Sequence, residues 1–207
     1  NLLPELVGVA KPPWVDEIMM HDEEALRDRV EGLEKKIDDY QKWKFLLYGS
    51  GSRLTETVKI AMGFMRIKAT HPDDRYHHDL ELELPGDVAG IVEVTGSSKP
   101  IDVEKVGDLP RYVSHVKKEE QKRKVKGILI ANPQMDKPPS QRDPKQSFTP
   151  HADETARMNE FCLYTSYELY KIVESYLSDT QIREQLIKIL LETKGAYRGQ
   201  PAASPSS

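Results

Sequence analysis

His78-Asp79-Leu80-Glu81-Leu82-Glu83-Leu84-Pro85-Gly86-Asp87-Val88-Ala89-Gly90-Ile91-Val92-Glu93-Val94-Thr95-Gly96 carries the strongest architectural signal in this chain. Its first half alternates apolar and acidic residues, its second half is almost continuously apolar, and Pro-Gly-Asp lies between them. That is the pattern of a β-hairpin. With the loop running from Pro85 to Asp87, Leu84 faces Val88, Glu83 faces Ala89, and the same count sets Asp79 opposite Glu93. Opposed residues of an antiparallel pair hold their Cβ atoms about 5 Å apart. Two carboxylates so placed repel unless a cation sits between them or one takes up a proton. This is the geometry of a divalent-metal site. It depends on register, because a two-residue turn would send the two acids to opposite faces.

Asp79, Glu81 and Glu93 form a carboxylate-rich face that suits a hard cation with oxygen ligands. Glu81 and Glu83 also fit the polar side of an exposed strand. Glu93 differs, since it interrupts an otherwise apolar strand where an unpaired charge is costly. Of the adjacent His77 and His78, strand alternation puts His77 on the face of Asp79. No Cys or spaced His completes a zinc set.

A strand-borne Asp, a hairpin and then Glu-x-Lys on the next strand is the signature of the PD-(D/E)XK restriction-endonuclease-like superfamily. Ile91-Val92-Glu93-Val94-Thr95-Gly96-Ser97 resembles its second half, with Thr95 where Lys belongs. The resemblance extends to a bacterial and archaeal branch of that superfamily. Phe45 to Tyr48, Gly51 and Leu54 are similar to its first core helix. Lys126 to Asn132, with Pro138, Pro139 and Arg142, is similar to its later strand and loop, and Leu163 to Leu169 to its final strand and helix. Together these span about residues 43 to 175 in order. The resemblance implies an α/β fold with a mixed central sheet flanked by helices.

It also implies a Mg²⁺ (or Mn²⁺) site held by Asp79 and Glu93, if the protein is an active DNA endonuclease. The site is worn, however. Members carry Glu where this chain has Thr55, with Glu56 one residue on, and often Gln near Asp108. The missing lysine removes a positive charge from beside the attacking water and phosphate, and such electrostatic groups are worth roughly 3 kcal/mol each. Lys99, four residues on, is the candidate relocated cation, and Lys68 a weaker one. Three readings follow: a catalytically impaired nuclease-like module used for DNA contact or assembly, an active endonuclease using Asp79, Glu93 and Lys99, and an oligomerisation domain of a larger protein.

Composition bounds these readings. The 207 residues suit one domain plus an appendage. A net charge of −4 argues against strong indiscriminate DNA binding, which comes from phosphate neutralisation. The single Cys162 excludes an internal disulfide framework and, within the apolar run Phe161 to Tyr164, reads as a buried structural thiol of a cytoplasmic protein. Neither a membrane span nor a signal-like segment is expected. The chain opens on Asn, which suits a piece of a longer protein.

Residues 1–21, with Pro4, Pro12 and Pro13, read as an extended leader. From Asp22, a helix N-cap, Leu26, Val30, Leu33, Ile37 and Tyr40 recur at spacings of 4, 3, 4 and 3, with Glu31 and Lys35 as an i,i+4 pair. This a/d pattern over 22–47 describes either a coiled coil that makes a homodimer or a helix lying on its own domain. Gly49-Ser50-Gly51 ends it, and Ser52 caps a helix reaching about Phe64. A strand at Met65–Ala69 and a turn at His71 to Asp74 lead into the hairpin. A turn at 101–106 then precedes a helix from about Asp108 to Lys122, with Pro110 in its first turn. The run Lys117 to Lys124 is mixed in sign. Lys126–Ala131 reads as a buried strand, and 133–150 as a proline-rich loop where Arg142 and Lys145, together with Lys99 before it, are candidate nucleic-acid contacts. A helix at 152–160, a strand at 161–165 and helices at 166–177 and 179–193 complete a domain over 48–194. Gly195 stops the last helix, and 195–207 read as a flexible tail.

Overall fold

The structure, a computed structural model, describes residues 10, 12–73, 77–119 and 123–199. Two compact units divide the chain, Asn1–Gln41 and Lys42–Ser207. In the first, Pro13–Glu17 form a short 3₁₀ helix where an extended leader was expected, because Pro13 begins the turn with its φ already fixed. Helix α1 (Glu23–Tyr48) begins there, with Glu23 and Glu24 in its first turn and a Glu23–Arg27 ion pair at 2.6 Å. Leu26, Val30, Leu33, Ile37 and Tyr40 are each 50–59% exposed. The readings of residues 1–9, Asp74, Glu120–Lys122 and 200–207 fall outside the described residues.

The second unit is an α/β domain. The end of α1 buries Trp43 and Leu46. Helix α2 (Gly51–Phe64) follows, with Ser50 rather than Ser52 at its N-cap; Gly51 there adopts φ +61, which glycine tolerates. Strand β1 is only Ala69–Thr70, later and shorter than expected, because Met65, Arg66 and Ile67 close the end of α2 with backbone bonds to Ala61, Gly63 and Met62. Strands β2 (Leu80–Leu84) and β3 (Val88–Ser97) form the hairpin. Gly86 (φ 78) and Asp87 (φ 56) make its turn, and both residue types accept that backbone region. Register is as counted: Leu80 pairs with Val92, Glu83 with Ala89 and Leu84 with Val88.

Asp102 caps α3 (Val103–Gly107) through Val103 N–H, and α4 (Leu109–Glu119) holds Pro110 in its first turn. Strand β4 (Lys124–Pro133) is longer at both ends than its apolar stretch. Two 3₁₀ turns, Pro139–Gln141 and Pro144–Gln146, shape the following loop. Helix α5 (Pro150–Met158), β5 (Cys162–Thr165), α6 (Ser166–Tyr176), α7 (Ile182–Glu192) and β6 (Gly195–Ala196) end the fold. Gly195 and Ala196 are thus a sheet strand and not the start of a tail: Gly195 N–H bonds Phe161 O, Tyr197 N–H bonds Leu163 O, and Asp153 Oδ1 accepts Ala196 N–H at 2.7 Å.

The six strands form one mixed sheet in the order β1-β2-β3-β4-β5-β6, antiparallel through β3 and parallel from β3 onward. Each face covers its own core. Leu80, Leu82, Val92, Val94, Ile128, Ile130 and Tyr164 pack against α2, α6 and α7. Ala89, Ile91, Leu129, Ala131 and Leu163 pack against α3, α4 and α5. Strands β4 and β5 read as unbroken apolar runs because both their faces are covered. Cys162 is free and buried, and burial pushes its thiol up to about 12, which keeps it protonated and inert. Among the described residues no helix is long and apolar enough to cross a membrane.

Candidate functional site

Alternation along β3 puts Glu93 on the same face as Ala89 and Ile91, toward α3 and α4. Asp79 sits one residue before β2, tied in by its N–H to Val92 O at 3.1 Å and by its Oδ2, which accepts Val94 N–H at 2.7 Å. The ladder pairs residues as far as Leu80 with Val92, and Asp79, one residue before it, lies close enough to Glu93 for its charge to be felt there. Both are partly buried. Burial first, then the charges of Asp79 and Asp108, push the Glu93 carboxyl up to about 8. Burial also raises Asp79, against the opposing pull of Val94 N–H and His71. Glu93 Oε1 is enclosed and accepts no hydrogen bond.

Glu81, Glu83 and Glu93 lie on this face, Asp79 lies in the bend just before β2, and their partners divide the four acids. Glu81 pairs with Arg123 at 2.9 Å, and Glu83 pairs with Lys68. Among the described residues, neither Asp79 nor Glu93 has an ion-pair partner. Among the described residues Glu81 and Glu83 are thus neutralised by an ion pair, and Asp79 and Glu93 are not.

No family model, curated protein or solved structure matches the chain.

The surroundings of the acid pair were only partly anticipated. His78, not His77, is the buried histidine: it packs by Tyr112 at 6.1 Å between ring centroids, while His77 is exposed. Strand alternation misled here because β2 starts only at Leu80, and residues 78 and 79 lie in a bend. Burial lowers His78 to about 4, so its ring is neutral at ordinary pH. His71, read only as a turn residue, offers Nδ1 to Asp79 O at 3.1 Å and Nε2 to the Glu56 carboxylate. Its hydrogen bond is the main reason Glu56 lies below the usual carboxylate range. Ser52, Thr55, Glu56, His71, His78 and Asp79 line an open cavity of about 400 Å³. Glu56 therefore comes to the site, but paired to a histidine.

Lys99 is exposed, with its N–H on Ser97 Oγ. The cation whose charge is felt at Glu93 is Lys105, on α3, and Arg111 on α4 in turn feels Glu93. Neither was singled out in the sequence, since only the packing of α3 and α4 on the sheet brings them near. Lys68 is spent on Glu83. Arg142 is an internal brace: its guanidinium donates to Leu47 O, to Asn132 Oδ1 at 2.9 Å and to Lys137 O at 2.9 Å. Asn132 in turn donates to Gly49 O at 2.9 Å. This network ties the proline-rich loop to the α1–α2 junction, so that loop is an ordered structural element. Lys145 is exposed.

The two carboxylates, one of them with an enclosed oxygen that accepts no hydrogen bond, are of the donor type a hard divalent cation takes. Among the described residues no group of three or more His, Cys, Asp or Glu side chains could hold a metal ion. Asp79 and Glu93 alone would supply the protein carboxylates, which suits Mg²⁺ or Mn²⁺, ions that keep several waters, better than a closed zinc set.

Proposed function

We propose that this chain is a nuclease-like module of the PD-(D/E)XK kind, catalytically impaired, that binds a divalent cation through Asp79 and Glu93 and serves DNA contact or assembly. One observation carries the reading: two partly buried carboxylates lie near one another at the hairpin with no ion-pair partner among the described residues, while Glu81 and Glu83 each have one. The order of elements supports it, with a core helix, an Asp-bearing hairpin, a helical crossover and a parallel strand following in turn. Thr95 stands where such nucleases carry lysine, and a neutral hydroxyl cannot supply the missing positive charge. When bound, the cation would polarise a phosphate oxygen and orient water. The residues' own part is narrower: Asp79 is aimed by Val94 N–H, and Glu93 is held in a site that favours neutralisation of its charge.

The test is thermal unfolding at pH 8 with and without Mn²⁺ or Mg²⁺, alongside a plasmid-cleavage assay. A Tm rise in the wild type that disappears in Asp79→Asn and Glu93→Ala, with no cutting by any of the three, is the expected result. A wild-type Tm indifferent to both metals defeats the proposal. Cutting that both substitutions abolish would instead support an active Mg²⁺-dependent endonuclease. The nearness of Lys105 to Glu93 favours that second reading, with Lys105 rather than Lys99 in the part of the lost lysine.

Assembly is assigned to α1. In the heptad frame Val30 and Ile37 occupy a positions, and Leu26, Leu33 and Tyr40 occupy d positions. β-branched residues at a with Leu at d favour parallel two-stranded coils. Arg29 then lies at g and Glu34 at the following e, so each helix presents opposite charges to the other across the seam. Val30→Lys with Ile37→Lys should weaken the dimer by at least roughly a hundredfold, since four apolar seam side chains, in two layers, become charges. Sedimentation equilibrium reads this directly, and a wild type that sediments as a monomer at high concentration removes the assembly role.

A further inference from the structure

The carboxyl ends of β4, β5 and β6 open onto a second cavity, of about 350 Å³, away from the acid pair. Ligands of open α/β sheets collect at such strand ends, and this volume lies in the range of small-ligand sites. Its wall joins two chemistries. Phe148, Tyr167 and Tyr197 provide aromatic surface, with Tyr197 backed by Tyr164 at 5.3 Å between ring centroids. Lys145, Lys171 and Arg198 provide positive charge from three separate segments: the ordered loop, α6 and the residues after β6. The first turn of α6 also lines the cavity, with Thr165 Oγ1 capping Glu168 N–H. Two carboxylates oppose this charge: Glu168 pairs with Lys171 at 2.7 Å, and Asp153 pairs with Arg198 at 3.5 Å.

We infer that this cavity binds a nucleoside 5′-phosphate group, its base against the tyrosines and its phosphate among Lys145, Lys171 and Arg198. Flat aromatic walls suit a base because every base has a π face. Lysine and arginine clustered at a helix N-terminus suit a phosphate. The group belongs either to a free nucleotide or to the phosphorylated end of a strand, and both present the same chemistry to the wall. None of these residues takes part in the acid pair, so the site stands independently of the metal reading.

Calorimetric titration of the full chain with AMP, with a 5′-phosphorylated trinucleotide and with inorganic phosphate tests it. Saturable binding by AMP identifies a free nucleotide, and binding by the trinucleotide alone identifies a strand end. Lys145→Glu with Lys171→Glu should weaken the binding probe by about tenfold or more, as lost charge-assisted contacts require. Glu168→Gln should strengthen it, and Glu93→Gln should leave it unchanged. Circular dichroism confirms that each variant folds. The inference is overturned if neither nucleotide saturates at millimolar concentration, if inorganic phosphate binds as well as they do, or if the charge reversals change nothing.

Discussion

Replacing Glu93 by Gln is expected to leave the protein unchanged in stability at pH 4 and to make it more stable at pH 8. In the unfolded chain this carboxyl ionises near 4.5, and in the folded protein only at about 8. Between those values the folded state holds a proton that the unfolded state has released, so wild-type stability falls as pH rises through the window. Below 4.5 both states are protonated and the contribution is fully present; above 8 it has been lost. Glutamine keeps the shape and removes the titration. The side chain is only partly buried, so solvent screening trims the full linkage value, and about 2 kcal/mol is expected at pH 8. That corresponds to a Tm gain of roughly 5 °C for a domain of this size. The same variant should lose the response to Mn²⁺. A Glu93→Gln protein whose stability follows the wild-type pH curve would refute the buried-acid account.

His78 works in the opposite direction. Its folded pKa of about 4 lies below the unfolded 6.5, so its contribution is present above 6.5 and is lost as pH falls toward 4. From 4.5 to 6.5 the two slopes oppose each other. The wild-type curve should therefore be flattest there and decline on either side, a profile that chemical denaturation across pH will record.

The larger structural effect is expected at Gly195. Its φ of +91 lies in a region that side chains rarely enter, and an added Cβ would overlap Asp153 Oδ1 and come within 2.6 Å of Arg157 Cγ. Gly195→Ala adds backbone strain to a clash with the group that holds Ala196 N–H, so a loss of about 3–4 kcal/mol is expected. Urea unfolding monitored by circular dichroism measures it. A loss below about 1 kcal/mol would mean that β6 contributes little to the sheet.

The hairpin was legible in the residues, because apolar alternation on either side of a Pro-Gly-Asp turn marks two strands and their loop. The longer helices were legible for a similar reason: the break at Gly49 to Gly51 and the first-turn Pro110 are local signals, whereas Val103–Gly107 read only as a turn. What was hidden is tertiary. A glycine and an alanine carry no strand pattern, and β6 exists because Asp153, more than forty positions away, binds its backbone. Lys105 and Arg111 near the acids, His71 bridging Glu56, and the bracing role of Arg142 arise from helices and loops packing onto the sheet. Arg142 looked like a phosphate contact because sequence reports charge without reporting what consumes it.

Both rims of the sheet are minimal: β1 and β6 are two residues each, flanking strands of five to ten. An exposed strand edge invites pairing with a foreign chain, and a stub of two residues offers almost no ladder to extend. The domain's apolar hairpin and central strands are thereby shielded from edge-to-edge aggregation.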